Sequence, residues 1–208
     1  MQNLLKYFPQ LSDEQTQLFE KLYHSFQYWN SRINVISRKD FHNFYLHHVL
    51  HSLAVTRIIQ FEPGTRILDV GTGGGFPGIP LAIMFPQCHF LLVDSIRKKL
   101  KVIESIQEDF QLNNIHTLHT RIENYSEKYD FVVSRAVTQF PRFVSWVRDN
   151  IAQGGQQGWR NGIFYLKGGD IQGDLNKFKN SMMVYNIDAF FEEPFFDSKK
   201  ILYLPIAD

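Results

Sequence analysis

The chain has 208 residues, 44% of them hydrophobic and 15% aromatic, which is enough for one ordinary domain with a sizeable core. A formal net charge of +1 gives no overall pull on nucleic acid, so any basic face has to be local. The single cysteine, Cys88, excludes an internal disulfide and a cysteine-based zinc cage. No window approaches the ~20 apolar residues of a membrane span. The opening Met1–Lys6 run is too short in apolar residues for a secretory signal, and Asp13, Glu14 and Glu20 follow it. A reducing, cytoplasmic setting without a membrane is expected.

In chain order, Ser12-Asp13-Glu14-Gln15 carries the spacing of a capping box and predicts a helix start. Leu18, Leu22, Phe26 and Trp29 then share one helical face. A polar, basic connector with Arg32, Arg38 and Lys39 leads to a second helical stretch, from about Asp40 to Gln60, with Phe44, Val49, Leu50, Leu53 and Ile58 on its apolar side. Residues 1–61 thus read as a helical N-terminal extension, and Glu62-Pro63-Gly64 marks the passage to a second unit, 62–208. From Thr65 the rhythm changes to strands alternating with helices. Strands are predicted at Ile67–Val70, His89–Asp94, Ile115–His119 (weak), Tyr129–Ser134 and Gly162–Lys167. A helix is predicted from Ile96 to Leu112, and a terminal strand pair over Met182–Phe191 and Lys200–Ile206 on the sheet edge. The alternation implies an α/β fold, a mostly parallel sheet covered on both faces.

The stretch Ile67-Leu68-Asp69-Val70-Gly71-Thr72-Gly73-Gly74-Gly75-Phe76-Pro77-Gly78 is the most informative. A buried strand ends in five glycines within eight positions, and Pro80 suits the first turn of the helix that follows. Strand, glycine turn and helix hold nucleotide-like ligands at the carboxyl end of a sheet; an ordinary tight turn is the plain alternative. Gly73 to Gly78 formally fits the dinucleotide fingerprint G-x-G-x-x-G, but Pro77 lacks the N–H that such a loop uses. No Gly-Lys-Ser/Thr is present for an ATP-type loop. Counted from Gly71, with Asp69 before it, the pattern resembles motif I of the Rossmann-like, S-adenosylmethionine-dependent methyltransferases; an acid there repels a pyrophosphate and suits a cationic sulfonium. Asp94 ends the second strand about 20 residues later, where an acid accepts from ribose hydroxyls or simply caps the next helix. Glu123, beside Ile122, follows the third strand.

Three further motifs narrow the resemblance. Phe76-Pro77-Gly78-Ile79-Pro80, Ser134-Arg135-Ala136 and Leu166-Lys167-Gly168 resemble the small-subunit rRNA guanine-N7 methyltransferases, the glucose-inhibited division protein B family, as do Ile33–Arg38 and His48–Leu53. The likeness covers about residues 20–170. His51 stands where many members have aspartate, and Phe76 where leucine is frequent. The resemblance implies a Rossmann-like class I methyltransferase, a seven-stranded mostly parallel sheet behind the helical extension. S-adenosylmethionine would be the donor and S-adenosylhomocysteine the product. The acceptor would be N7 of one guanine in a functional loop of 16S rRNA near the decoding centre, presented by the 30S subunit or an assembly intermediate to a monomeric enzyme. The family's cofactor contacts fall on Gly71, Phe76, Ile122, Glu123 and Arg135, joined by Asp69, Gly73 and Asp94 from the residue reading.

Guanine N7 carries a lone pair and no proton, so attack on a methyl group needs no general base and none is assigned. Alignment of N7, methyl and sulfur is what the protein must supply. Arg38, Lys39, Arg135 and Lys167 are RNA-binding candidates through phosphate pairing. Arg97–Lys101 reads equally as a solvated helix face, and Arg135 alternatively as a structural ion pair. His47 and His51 lie one helical turn apart, but a third ligand is not evident, so no metal is expected. A nicotinamide-dependent oxidoreductase and a non-catalytic RNA-binding module are the two rival readings.

Overall fold

A computed structural model describes residues 1–33, 35–156, 158–178 and 180–206. Two helices open the chain, α1 (Gln2–Tyr7) and α2 (Asp13–Asn30). The capping box closes as predicted: Gln15 N–H donates to Ser12 Oγ and Ser12 N–H to Gln15 Oε1, both at 3.1 Å. The buried stripe of α2 is Phe19, Leu22, Phe26 and Asn30; Leu18 and Trp29 flank it half-buried. Asn30 Oδ1 accepts from Val35 N and Ile36 N at 3.0 and 2.9 Å, so the last residue of α2 pins the connector that follows.

The expected second helix is not a uniform one. It is a 3₁₀ turn (Phe41–Asn43), a π-helical stretch (Phe44–Leu50), a short α3 (His51–Leu53) and another 3₁₀ turn (Ala54–Arg57). The apolar positions hold: Phe44, Val49, Leu50 and Leu53 are fully buried.

The remaining elements alternate: β1 (Arg66–Val70), α4 (Gly78–Met84), β2 (His89–Asp94), α5 (Arg97–Phe110), β3 (Ile115–His119), β4 (Phe131–Arg135) and α6 (Phe140–Val147). A two-stranded ribbon follows, β5 (Gly155–Gln156) with β6 (Trp159–Arg160), then β7 (Gly162–Gly168), α7 (Gln172–Phe178), β8 (Met183–Asn186) and β9 (Lys199–Pro205). The main sheet has the order β3-β2-β1-β4-β7-β9-β8; only β9 runs against its neighbours. The seven-stranded, mostly parallel α/β fold is as expected. The terminal pair is antiparallel as predicted, but β9 is inserted beside β7 and β8 forms the edge. The first strand of that pair stops at Asn186, because Ile187–Ala189 turns into a 3₁₀ helix.

Side chains of a strand alternate between faces, and here the two faces lead to different elements. Ile67, Phe90, Leu92, Phe131, Val133, Phe164 and Leu166 face α4, α5 and the N-terminal helices in one continuous core. Leu68, Val70, Val93, Val132, Ile163 and Tyr165 face α6 and α7 in a second. By the same parity Asp69 and Arg135 belong to the first face and Lys167 to the second, which decides what each of them touches. Among the described residues, no helix is long and apolar enough to cross a membrane.

Candidate cofactor site

The strand order reverses at β1, which pairs with β2 on one side and β4 on the other. In open α/β sheets, ligands settle at the carboxyl ends of strands at such a switch point. A cleft of about 490 Å³ opens there. Gly71 just after β1, Asp94 at the end of β2, Ile122 and Glu123 after β3, and Arg135 at the end of β4 all line it. A larger groove, about 770 Å³, lies between α6, α7 and β9; Val144, Phe178 and Leu204 line it, with none of those five.

The glycine loop is tied down by its neighbours. Gly71 N and Thr72 N donate to Val93 O at 2.8 and 3.1 Å. Gly73 N donates to Asp94 Oδ2 at 2.9 Å, while Asp94 Oδ1 accepts from Ile96 N at 2.8 Å. Asp94 therefore both organises the loop and starts the turn into α5. Each of its oxygens retains acceptor capacity, so these two bonds leave Asp94 able to accept from a ligand in the cleft it lines.

Asp69 does not reach the cleft. It is fully buried on the opposite parity to Val70, and its Oδ2 accepts from Thr72 Oγ1 at 2.7 Å and Gly78 N at 2.8 Å. Burial pushes its carboxyl up to about 7, against those two hydrogen bonds. It fastens the loop to the first residue of α4 instead of lining the cleft. The same contact bears on the dinucleotide reading. The backbone N–H at the start of α4, where a pyrophosphate would bind, is already taken by the protein's own carboxylate.

Phe76 likewise faces away from the cleft. Its ring is 4% exposed and packs on Phe26, Phe44 and His48 at centroid distances of 5.0, 6.0 and 5.5 Å. The aromatic extension supplies three neighbours that a leucine-sized reading of the motif does not anticipate. Gly73 does not line the cleft either; its N–H is spent on Asp94.

Arg135 lines the cleft but sends its guanidinium onto the first face. Nη1 donates to His47 O and His48 O at 3.3 and 3.5 Å, Nη2 meets His48 Nδ1 at 3.2 Å, and the cation lies 5.1 Å from the centre of the Phe76 ring. Desolvation lowers its pKa to about 10, opposed by Asp69 and Asp40. It is a strut between sheet and extension, not a free phosphate ligand. Lys167, on the second face, is also occupied: it pairs with the buried carboxylate of Asp174 in α7. Arg38 and Lys39 are exposed on the connector, as an RNA contact requires. Arg97 pairs with Glu104 along α5 at 2.7 Å.

Two of the three histidines are hydrogen-bonded locally, and the third, His51, buries its Nε2 without a partner among the described residues. His47 Nδ1 bonds Asp40 Oδ1 at 2.5 Å and stacks on Phe195 at 3.7 Å; His48 Nε2 bonds Asp40 Oδ2 at 3.0 Å; His51 is buried. Among the described residues, no group of three or more His, Cys, Asp or Glu is placed to hold a metal ion.

Several cleft residues carry no strong signal in the sequence. Ala136 takes a left-handed φ of 50°, an uncommon conformation for a side-chain-bearing residue. Val137 follows it, 37% exposed, and Ile96 is 40% exposed across the cleft. Two large apolar side chains open to a cleft with two carboxylates suit an adenosine-like ligand, with an apolar ring face and hydroxyls to bind.

The chain resembles known proteins along nearly its whole length. The sequence profile of rRNA small subunit methyltransferase G matches residues 15–198. Ribosomal RNA small subunit methyltransferase G of Flavobacterium johnsoniae is 48% identical over 206 residues, covering 99% of this chain and 98% of that protein. The Porphyromonas gingivalis protein of the same name is 50% identical over 202 residues, covering 97% and 91%. In fold, the chain is similar to an S-adenosylmethionine-dependent methyltransferase from Aquifex aeolicus (TM-score 0.57, 11% identity, 75% of this chain and 89% of that one). It is also similar to Aeropyrum pernix fibrillarin solved with S-adenosylmethionine (TM-score 0.54, 12% identity, 74% and 73%). The chain belongs to the rRNA small subunit methyltransferase G family, a family of S-adenosylmethionine-dependent methyltransferases.

Proposed function

We infer that this chain transfers a methyl group to N7 of one guanine in 16S rRNA, acting on the 30S subunit or an assembly intermediate. The observation that carries the cofactor half is the meeting of Gly71, Asp94, Ile122 and Glu123 around one cleft at the sheet's switch point. S-adenosylmethionine, when bound, supplies an electrophilic methyl group on sulfur. Asp94 and Glu123 are the acceptors available to its ribose and adenine donors, and Ile122 and Ile96 the apolar surface for its ring. The residues that wall the cleft hold the donor in line with the acceptor nitrogen, and alignment is the main demand of a reaction without a proton to remove. The ring gains positive charge as N7 is methylated, so a nearby free cation would oppose it. Engagement of the Arg135 guanidinium with the extension is consistent with that demand. Arg38 and Lys39, exposed on the connector, are the phosphate contacts this reading assigns to the extension; we place the enzyme in the cytoplasm as a monomer.

The test is transfer of label from methyl-labelled S-adenosylmethionine to 30S subunits from a deletion strain, with the modified nucleotide mapped by mass spectrometry. A single new 7-methylguanosine in 16S rRNA is expected. Label that stays off 16S rRNA, with cofactor binding intact, refutes the acceptor assignment.

A further inference from the structure

Asp40 and His48 lie outside the cleft, yet His48 is bonded to Arg135, which lines it, and Asp40 is bonded to His48. Arg135 has only donors on its side chain. Its Nη2, 3.2 Å from His48 Nδ1, therefore requires a lone pair on that nitrogen. The proton of a neutral imidazole then resides on Nε2, which faces Asp40 Oδ2 at 3.0 Å. The carboxylate thus fixes the tautomer that accepts from Arg135, the arrangement by which a second group orients a functional histidine. His47 completes the clamp: its Nδ1 holds the other oxygen of Asp40, and Phe195 stacks on its ring. The carbonyls that take the other arm of Arg135 belong to His47 and His48, inside the π-helical stretch, a conformation common at functional sites. Beyond Arg135 the chain passes through left-handed Ala136 to Val137, which packs against the Gly71 turn. Among the described residues, no other hydrogen bond joins the extension to this strand end.

We propose that Asp40 and His48 are positioning residues for methyl transfer: through Arg135 they fix the 135–137 segment as one wall of the cofactor cleft. This rests on reading the cleft as the cofactor site. Wild-type binding of S-adenosylhomocysteine, measured first by calorimetry, tests that reading separately; a protein that binds none fails there, before the clamp is in question.

Two substitutions at His48 then separate positioning from bulk stability. His48→Asn places an amide oxygen near the position of Nδ1 and still accepts from Arg135, while giving up the bond to Asp40. His48→Leu removes both. Leaving a charged donor without its acceptor corresponds to about a tenfold loss or more. S-adenosylhomocysteine affinity is expected to fall about tenfold in His48→Leu and to stay within about threefold in His48→Asn, at matched melting temperature. In protein with ¹⁵N-labelled histidine, His48 is expected as the Nε2–H tautomer, shifting toward a mixture in Asp40→Asn. Equal affinities in wild type and His48→Leu, or a His48 protonated on Nδ1, overturn the proposal. Two variants that merely melt earlier, with unchanged affinity in the folded protein, also overturn it.

Discussion

Two glycines of the loop, two residues apart, make a controlled comparison of what the cofactor cleft needs. Gly71 and Gly73 both have positive φ, 70° and 61°. An alanine in that conformation costs about 1–2 kcal/mol through the clash of Cβ with the following carbonyl, so strain is common to both sites. Their surroundings differ. A Cβ on Gly73 meets nothing within 4 Å, whereas one on Gly71 lies 2.5 Å from Cγ2 of Val137 and 3.2 Å from its Cγ1. Real carbon atoms do not approach to 2.5 Å, so Val137 has to swing away, and the open side available to it is the cleft. Gly73→Ala should therefore destabilise the protein by the strain alone, about 1–2 kcal/mol, and leave S-adenosylhomocysteine affinity within about threefold. Gly71→Ala should cost similar stability but lose about tenfold or more in affinity, because the displaced valine occupies ligand space. Trimming the obstacle provides the internal check: Val137→Ala in the Gly71→Ala background should restore at least half of the lost binding free energy, a coupling expected of residues in contact. Thermal melting and calorimetric titration of the four proteins are sufficient. Equal affinity losses at the two glycines, or no recovery in the double variant, would refute the assignment of Val137 and Gly71 to one wall.

Asp69→Asn is expected to raise stability at alkaline pH. Burial lifts the carboxyl from 3.8 to about 7, so the folded state keeps a proton that the unfolded chain releases. Stability from this group is therefore lost as pH rises between about 4 and 8, by up to about 4 kcal/mol, and the asparagine variant should lack that dependence. Denaturant titrations at pH 5 and pH 8 check it, and a variant less stable by the same amount at both would mean that Arg135 fully compensates the charge. Asp94→Ala removes the acceptor of Gly73 N and Ile96 N, so it should cost about 2 kcal/mol of stability and weaken S-adenosylhomocysteine far more than RNA; chemical denaturation, calorimetry and an RNA filter-binding assay give the three numbers. Lys167→Met should cost about 3–5 kcal/mol, because Asp174 is only 4% exposed and would be left unpaired. RNA affinity of the folded variant should not change, and a selective fall in RNA binding would restore Lys167 as a phosphate ligand.

Most of the architecture was legible from hydrophobic rhythm. His89–Asp94 and Ile115–His119 match the observed strands, and the capping box at Ser12 marks the start of α2. The illegible part of the fold is the stretch from Phe41 to Arg57. Its apolar positions are those of a helix, but its backbone changes pitch three times, because local propensity does not encode the carbonyls that Arg135 demands from the sheet. The site divides along the same line. Asp94, Ile122 and Glu123 lie at strand ends, where position alone predicts exposure to a ligand, and all three line the cleft.

Asp69, Arg135 and Lys167 were harder for one shared reason: motif position says where a residue lies along the chain, and strand parity says which way it points. Ile67 and Asp69 are two residues apart and so share a face; so do Val133 and Arg135, and Tyr165 and Lys167. Once the first pair is seen under α4 and the N-terminal helices, the acid before the glycines must be buried, and the arginine that ends β4 must enter the same layer. The sequence contains that parity but not which layer covers which face, since both faces are equally apolar in strands buried on two sides. On that shared face the two residues divide the work: Asp69 ties the glycine loop to α4, and Arg135 ties the end of β4 to the carbonyls and imidazole of His47 and His48. Parity is thus why the motif residues divide between those that line the cleft, such as Gly71, Asp94, Ile122 and Glu123, and those whose side chains are spent on fastening neighbouring elements.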